Sequence, residues 1–213
     1  YVRTIRPGVG TYGPWRAIGK PLAGSYIVFG DSITEWFTWP AKAAARLGLT
    51  ATNVGFGGCR MANHSVAVYN PFSMVNLVDY IASGDYSGLV TAAQALYDAT
   101  GDDNRGIVTR LANVNWAQAE YVSIFYGTND FAGAVPIGTD TDMTGATFKG
   151  SINYVIETLL AAYPHLKLFF IAPPWRARQS SGDGKDADLV PNTAGIYFRE
   201  YVDAIKSRAE SYH

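Results

Sequence analysis

A chain of 213 residues, 48% apolar and only 16% charged, can bury a sizeable core and is too hydrophobic to stay disordered. Its formal net charge of -1, with no basic run, argues against nucleic acid or an anionic membrane surface as the main partner. No apolar stretch is long enough to span a bilayer. Cys59, the single cysteine, excludes an internal disulfide and leaves the redox compartment open.

The chain starts at Tyr1 with no signal-like segment, as expected of an excised or processed piece. Residues 1–24 are predicted to form a β-like arm or linker. Tyr1 to Arg6 alternates apolar and polar residues, and Pro7-Gly8-Val9-Gly10 and Thr11-Tyr12-Gly13-Pro14-Trp15-Arg16 follow. This segment resembles the aromatic, Gly-rich stretches that precede enzymatic modules in phage tail and surface-associated proteins, which implies a secreted, cell-surface or virion-associated setting. A strand that covers a sheet edge accounts for it equally well.

From residue 25 to 213 strand-like and helix-like segments alternate, the pattern of one α/β domain with a parallel sheet between helical layers. Tyr26-Ile27-Val28-Phe29 reads as a buried strand that closes on Gly30. Trp39 to Leu47 is a helix with Pro40 in its first turn and Gly48 at its end. Thr50 to Phe56 is the second strand, entering Gly57-Gly58. Amphipathic segments near 72–81 and 89–97 lead to Ile107–Leu111. The third strand, Tyr121 to Tyr126, ends in Gly127-Thr128-Asn129-Asp130. A Gly/Thr/Asp-rich loop covers 132–146, and 147–162 carries Ile152, Val155, Ile156, Leu159 and Leu160 at helical spacing. Leu166 to Ala172 is the fourth strand, stopped by Pro173-Pro174. A long polar loop over 175–192 and a helix over 193–212 complete the chain.

Nothing in the sequence calls for a cofactor. Gly55-Phe56-Gly57-Gly58 lacks the spacing and acidic residue of a dinucleotide fingerprint, no phosphate-binding P-loop occurs, and the three histidines and one cysteine lack metal-ligand spacing. Acyl transfer, by contrast, needs only a nucleophile, a base and donors for the developing oxyanion. In an open α/β sheet the carboxyl ends of neighbouring strands can supply them. Ser32 follows the first strand, Gly57-Gly58 the second and Asn129 the third. Either glycine can bring its backbone N–H close to a ligand, and the asparagine amide is a directional donor.

Gly30-Asp31-Ser32-Ile33-Thr34, Asn53-Val54-Gly55-Phe56-Gly57-Gly58 and Gly127-Thr128-Asn129-Asp130 resemble, in order, the first three blocks of the SGNH (GDSL-type) hydrolases. The likeness continues through Ile171-Ala172-Pro173-Pro174 and covers 25–213. It implies a three-layer α/β/α fold with a flavodoxin-like parallel sheet, and a serine esterase that works through an acyl-enzyme without a cofactor. It assigns Ser32 as nucleophile and the Ser32 and Gly58 N–H groups with the Asn129 side chain as oxyanion hole. Asp31, Gly57 and Asp130 are secondary residues of the same blocks, with Asp31 ordering the turn. A short-chain ester, such as a carbohydrate O-acetyl group, is the implied substrate, since the chain is rich in Tyr and Trp (14 and 5).

The family's fourth part, a late Asp-x-x-His that supplies the base, has no counterpart here. Asp188-Leu189-Val190-Pro191-Asn192-Thr193-Ala194-Gly195 resembles its Pro-Asn-x-x-Gly tail, but Val190 and Ala187 stand where the histidine and aspartate would be. One reading is a degenerate site in a glycan-binding or structural module. The favoured reading is that the base lies beyond His213, on a further segment or a second chain. Of the histidines present, His64 is expected in a loop and His165 at the far end of a strand; Arg176 is a candidate for the substrate mouth, and Cys59 a packed small residue.

Overall fold

The computed structural model describes residues 24–178 and 184–212, so the expected arm lies, but for its last residue, outside the described part. Strand β1 (Ser25–Gly30) leads into one helical turn, α1 (Ser32–Glu35), then α2 (Trp39–Leu47) and β2 (Thr50–Gly55). Helices α3 (Met74–Ser83), α4 (Ser87–Thr100) and α5 (Arg105–Ala112) follow. Strand β3 (Ala119–Phe125) runs into the short α6 (Thr128–Ala132), and α7 (Phe148–Ala162), β4 (Lys167–Phe170) and α8 (Phe198–Ser211) finish the domain. The segment 107–111, reached in the sequence without an assigned type, is helical.

The strands form one parallel sheet in the order β2-β1-β3-β4, the flavodoxin-like order, with helices on both faces. The strand alternation divides the core. Ile27 and Phe29 join the large cluster under α3, α4, α5, α7 and α8, whereas Tyr26 and Val28 pack with Ala44 and Leu49 beneath α2. A central strand buried on both faces is what its unbroken apolar run requires. Register then decides where the loops emerge. Gly30 pairs with Gly55 of β2 and with Phe125 of β3, so three chains leave the sheet level with one another at the carboxyl edge. The turn after β1 lies where connections depart to opposite sides, the place where open α/β sheets bind ligands. Among the described residues β4 pairs only with β3, and no helix is long and apolar enough to cross a membrane.

One expected boundary is corrected. Helix α8 begins at Phe198, not at 193. Asn192 Oδ1 accepts the N–H groups of Ala194 (3.0 Å) and Ile196 (3.1 Å), which wraps 192–196 into a turn in competition with helix. The Tyr197 N–H then donates to Glu200 Oε1 at 2.8 Å and starts the helix.

α1 lies tight against β2. A Cβ on Gly55 would stand 2.5 Å from the Glu35 backbone nitrogen, and neither backbone can yield without moving the other. Gly55→Ala is expected to cost about 1–3 kcal/mol of stability, read as a lower urea midpoint. An unchanged midpoint would show that α1 is free to shift.

Candidate active site

Ser32 is the first residue of α1, on the turn that takes the chain off β1. Asp31 caps that turn: its Oδ1 accepts the Ile33 N–H at 2.9 Å, and its carbonyl accepts those of Thr34 and Glu35. The cap leaves one donor over. Among the described residues neither the N–H nor the Oγ of half-buried Ser32 has a hydrogen-bond partner.

The loop after β2 closes on this turn. The Phe56 N–H donates to the Gly30 carbonyl at 2.8 Å, which extends the β1–β2 pairing by one step. Glu35, at the end of α1, accepts the Gly57 N–H on Oε2 at 2.7 Å. The next residue, Gly58, has φ +73°, a left-handed conformation that glycine takes without strain, and nothing lies within 4 Å of where a Cβ would stand. Its N–H has no acceptor among the described residues. Of the two glycines the sequence leaves open as donors, Gly57 is therefore occupied and Gly58 is open.

Asn129 and Asp130, on α6, hold the same loop from the β3 side. Asn129 Nδ2 donates to the Cys59 carbonyl at 3.0 Å and keeps a second amide hydrogen. Asp130 is fully buried, and its carboxylate accepts the N–H groups of Met61 (3.1 Å) and Ala62 (3.0 Å). Burial pushes its carboxyl up to about 6, against the pull of those two N–H groups and of Arg60. Burial likewise raises Asp31 to about 6, offset in part by the Ile33 N–H and the charge of Arg176. Arg176 is half-buried: its guanidinium donates to the Thr128 and Ala177 carbonyls and lies 5.2 Å from the centre of the Phe131 ring. It ties the loop after β4 to the helix that carries Asn129.

Among the described residues neither His64 nor His165 is hydrogen-bonded to Ser32 Oγ. His64 lines the cleft beside Gly57 and Gly58, with Nδ1 accepting the Val66 N–H at 3.0 Å, and burial together with Arg60 lowers its pKa. His165 contacts the Trp116 carbonyl through Nε2 at 3.2 Å, just ahead of β4 and at the opposite end of the sheet. The stretch around Asn192 holds no imidazole; its amide donates to the Phe131 carbonyl at 3.0 Å and docks the entry of α8 on the end of α6. Cys59 is buried, and burial beside Glu35 and Asp31 pushes its thiol well above the usual range. Among the described residues no group of three or more His, Cys, Asp or Glu could hold a metal ion. Sequence reasoning missed Glu35, and no local signal links it to Gly57, 22 residues on.

The model of the family described as GDSL-like Lipase/Acylhydrolase matches residues 26–206, most of the chain. The chain belongs to the GDSL-like lipase/acylhydrolase family. Membership makes it a hydrolase of the SGNH type. Solved structures share the fold: one at TM-score 0.65 and 23% identity, over 91% of this chain and 76% of the other. A structural-genomics protein from Lactobacillus plantarum aligns at TM-score 0.60 and 18% identity, over 90% and 74% of the two chains. A protein from Chitinophaga pinensis DSM 2588 described as a possible lipase aligns at TM-score 0.55 and 16% identity, over 89% and 65%. No curated protein matches the sequence.

Proposed function

We propose that this GDSL-family chain is a serine esterase that transfers a short acyl group, such as a carbohydrate O-acetyl, through an acyl-enzyme on Ser32. Ser32 Oγ attacks the ester carbonyl and loses its proton to a base. The carbonyl oxygen takes up negative charge and is held by the Ser32 and Gly58 N–H groups and the free Asn129 amide hydrogen. The alcohol then departs and water releases the acid. One observation carries the reading: among the described residues the N–H groups of Ser32 and Gly58 have no acceptor, while that of neighbouring Gly57 is held by Glu35. Unsatisfied donors at a pre-formed turn are what an oxyanion requires.

The base belongs, in this reading, to a segment that pairs with the edge of β4 that is open among the described residues, either further along the chain or on a second chain. A parallel strand there would end level with Ser32. Residues 1–213 alone are therefore expected to hydrolyse p-nitrophenyl acetate poorly and the full gene product to hydrolyse it well, with loss in Ser32→Ala. Robust turnover by residues 1–213 that is lost in Ser32→Ala would put the base inside the chain, at His64 or His213. A second reading, a glycan-binding or structural module, is favoured by one fact: among the described residues no imidazole is bonded to Ser32 Oγ. A full gene product without turnover would decide for it.

A further inference from the structure

The cleft beside Gly58 is built for more than an acyl group. Its volume is about 380 Å³, within the range of small-ligand sites. Gly57 and Gly58 line it together with Trp36 from the end of α1, Tyr69, and the turn ahead of α5. Three of its features are open to a partner that the described residues do not provide.

The first is Asn104. It is 5% exposed and lines the cleft, yet among the described residues its side-chain amide makes no hydrogen bond. The residue is mostly covered, but its amide oxygen and nitrogen still reach the cleft, where both are open to a ligand. The second is Asp102. Its Oδ2 accepts the Tyr69 hydroxyl, which leaves Oδ1 as an acceptor on the cleft, whereas both oxygens of Asp103 are engaged by Arg105. The third is Trp36, 72% exposed, whose indole edge lies beside Gly57: a Cβ there would come 3.4 Å from it. An indole left in water on a cleft wall is a stacking platform.

An amide that can both donate and accept, a carboxylate acceptor and a flat aromatic face fit the hydroxyls and the apolar C–H face of one sugar ring. They do not fit an alkyl chain, which would strand the amide. The lining holds three carboxylates and no lysine or arginine, so an anionic ring would be repelled. We infer that this cleft binds a neutral pyranoside, stacked on Trp36 and hydrogen-bonded to Asn104 and Asp102. Its role as the alcohol half of the ester rests on the esterase reading of Ser32 and Gly58; its binding does not.

Saturation-transfer NMR on the Ser32→Ala form of the full gene product tests this, with methyl glucoside, galactoside, mannoside and xyloside as neutral probes and methyl glucuronoside as the anionic one. At least one neutral probe is expected to bind, at least about tenfold more tightly than the glucuronoside. Binding should weaken about tenfold or more in Trp36→Ala and persist in Phe37→Ala, an exposed neighbour that is not part of the lining. The inference is overturned if no neutral probe binds, if the glucuronoside binds equally well, or if binding survives Trp36→Ala. The two readings fail separately: ester turnover without pyranoside binding removes the cleft assignment alone, and pyranoside binding without turnover removes the esterase alone.

Discussion

Asn129→Ala is expected to lower ester turnover by the full gene product by about 10²–10³-fold, chiefly in kcat. The Asn129 amide has one hydrogen on the Cys59 carbonyl, and that bond sets the direction of the other. Truncation removes the proposed donor to the oxyanion and also frees the loop that presents Gly58. The two contributions separate on measurement. The stability loss should be that of one partly buried hydrogen bond, about 1 kcal/mol, far too small to explain the drop in rate by unfolding. A variant that keeps full kcat would remove Asn129 from the chemistry and leave it only as a clamp.

Stability should fall as pH rises from about 4 to about 6, the opposite of ordinary acid denaturation. Asp31 and Asp130 have ordinary values of 3.8 and are raised by burial to about 6 in the folded chain. Between those values the folded state binds more protons than the unfolded state, so the stabilisation fully present below the lower value is lost through the upper one. A shift of that size corresponds to about 3 kcal/mol for one group. The charge of Asp31 also raises Asp130, so the two effects do not simply add. At roughly 2–4 °C per kcal/mol for a domain of this size, Tm should drop by several degrees between pH 4.5 and pH 7 and stay level above that. Asp130→Asn should flatten this slope. It should also lower stability, because an amide nitrogen facing the Met61 or Ala62 N–H sets donor against donor. Groups held low, such as Asp103, contribute with the usual sign below pH 4, where they protonate. A Tm that rises from pH 4.5 to 7 would contradict the burial argument for both carboxyls.

The parts of the site that could be read from the sequence are those that local chemistry fixes. Gly30-Asp31-Ser32 is the end of an apolar strand, an N-cap and the first residue of a helical turn in succession, and it folds as those residues require. The blocks at 53–58 and 127–130 likewise follow strands whose apolar runs are unmistakable, and register alone then brings the three together. What could not be read depends on contacts distant in sequence. Which glycine keeps an N–H without a partner among the described residues is decided by Glu35, at the end of α1. Asp130 gave no sign that its carboxylate would be buried to hold Met61 and Ala62, 69 and 68 residues away. The start of α8 was missed for a different reason: Asn192 bonds its own downstream backbone, a choice that helical periodicity cannot reveal. His64 was expected in a loop, with an approach to the site left open; its place on the cleft wall follows from how the loop after Gly58 folds back.

The central claim is that acyl transfer passes through Ser32. Its most direct test is to quench the full gene product during p-nitrophenyl acetate turnover, at mildly acidic pH where release of the acyl group by a histidine base is slowed, and to map the acetyl group by mass spectrometry. The account predicts acetyl on Ser32 during turnover, and neither adduct nor turnover in Ser32→Ala. Acetyl on another residue, or turnover that persists in Ser32→Ala, would contradict it.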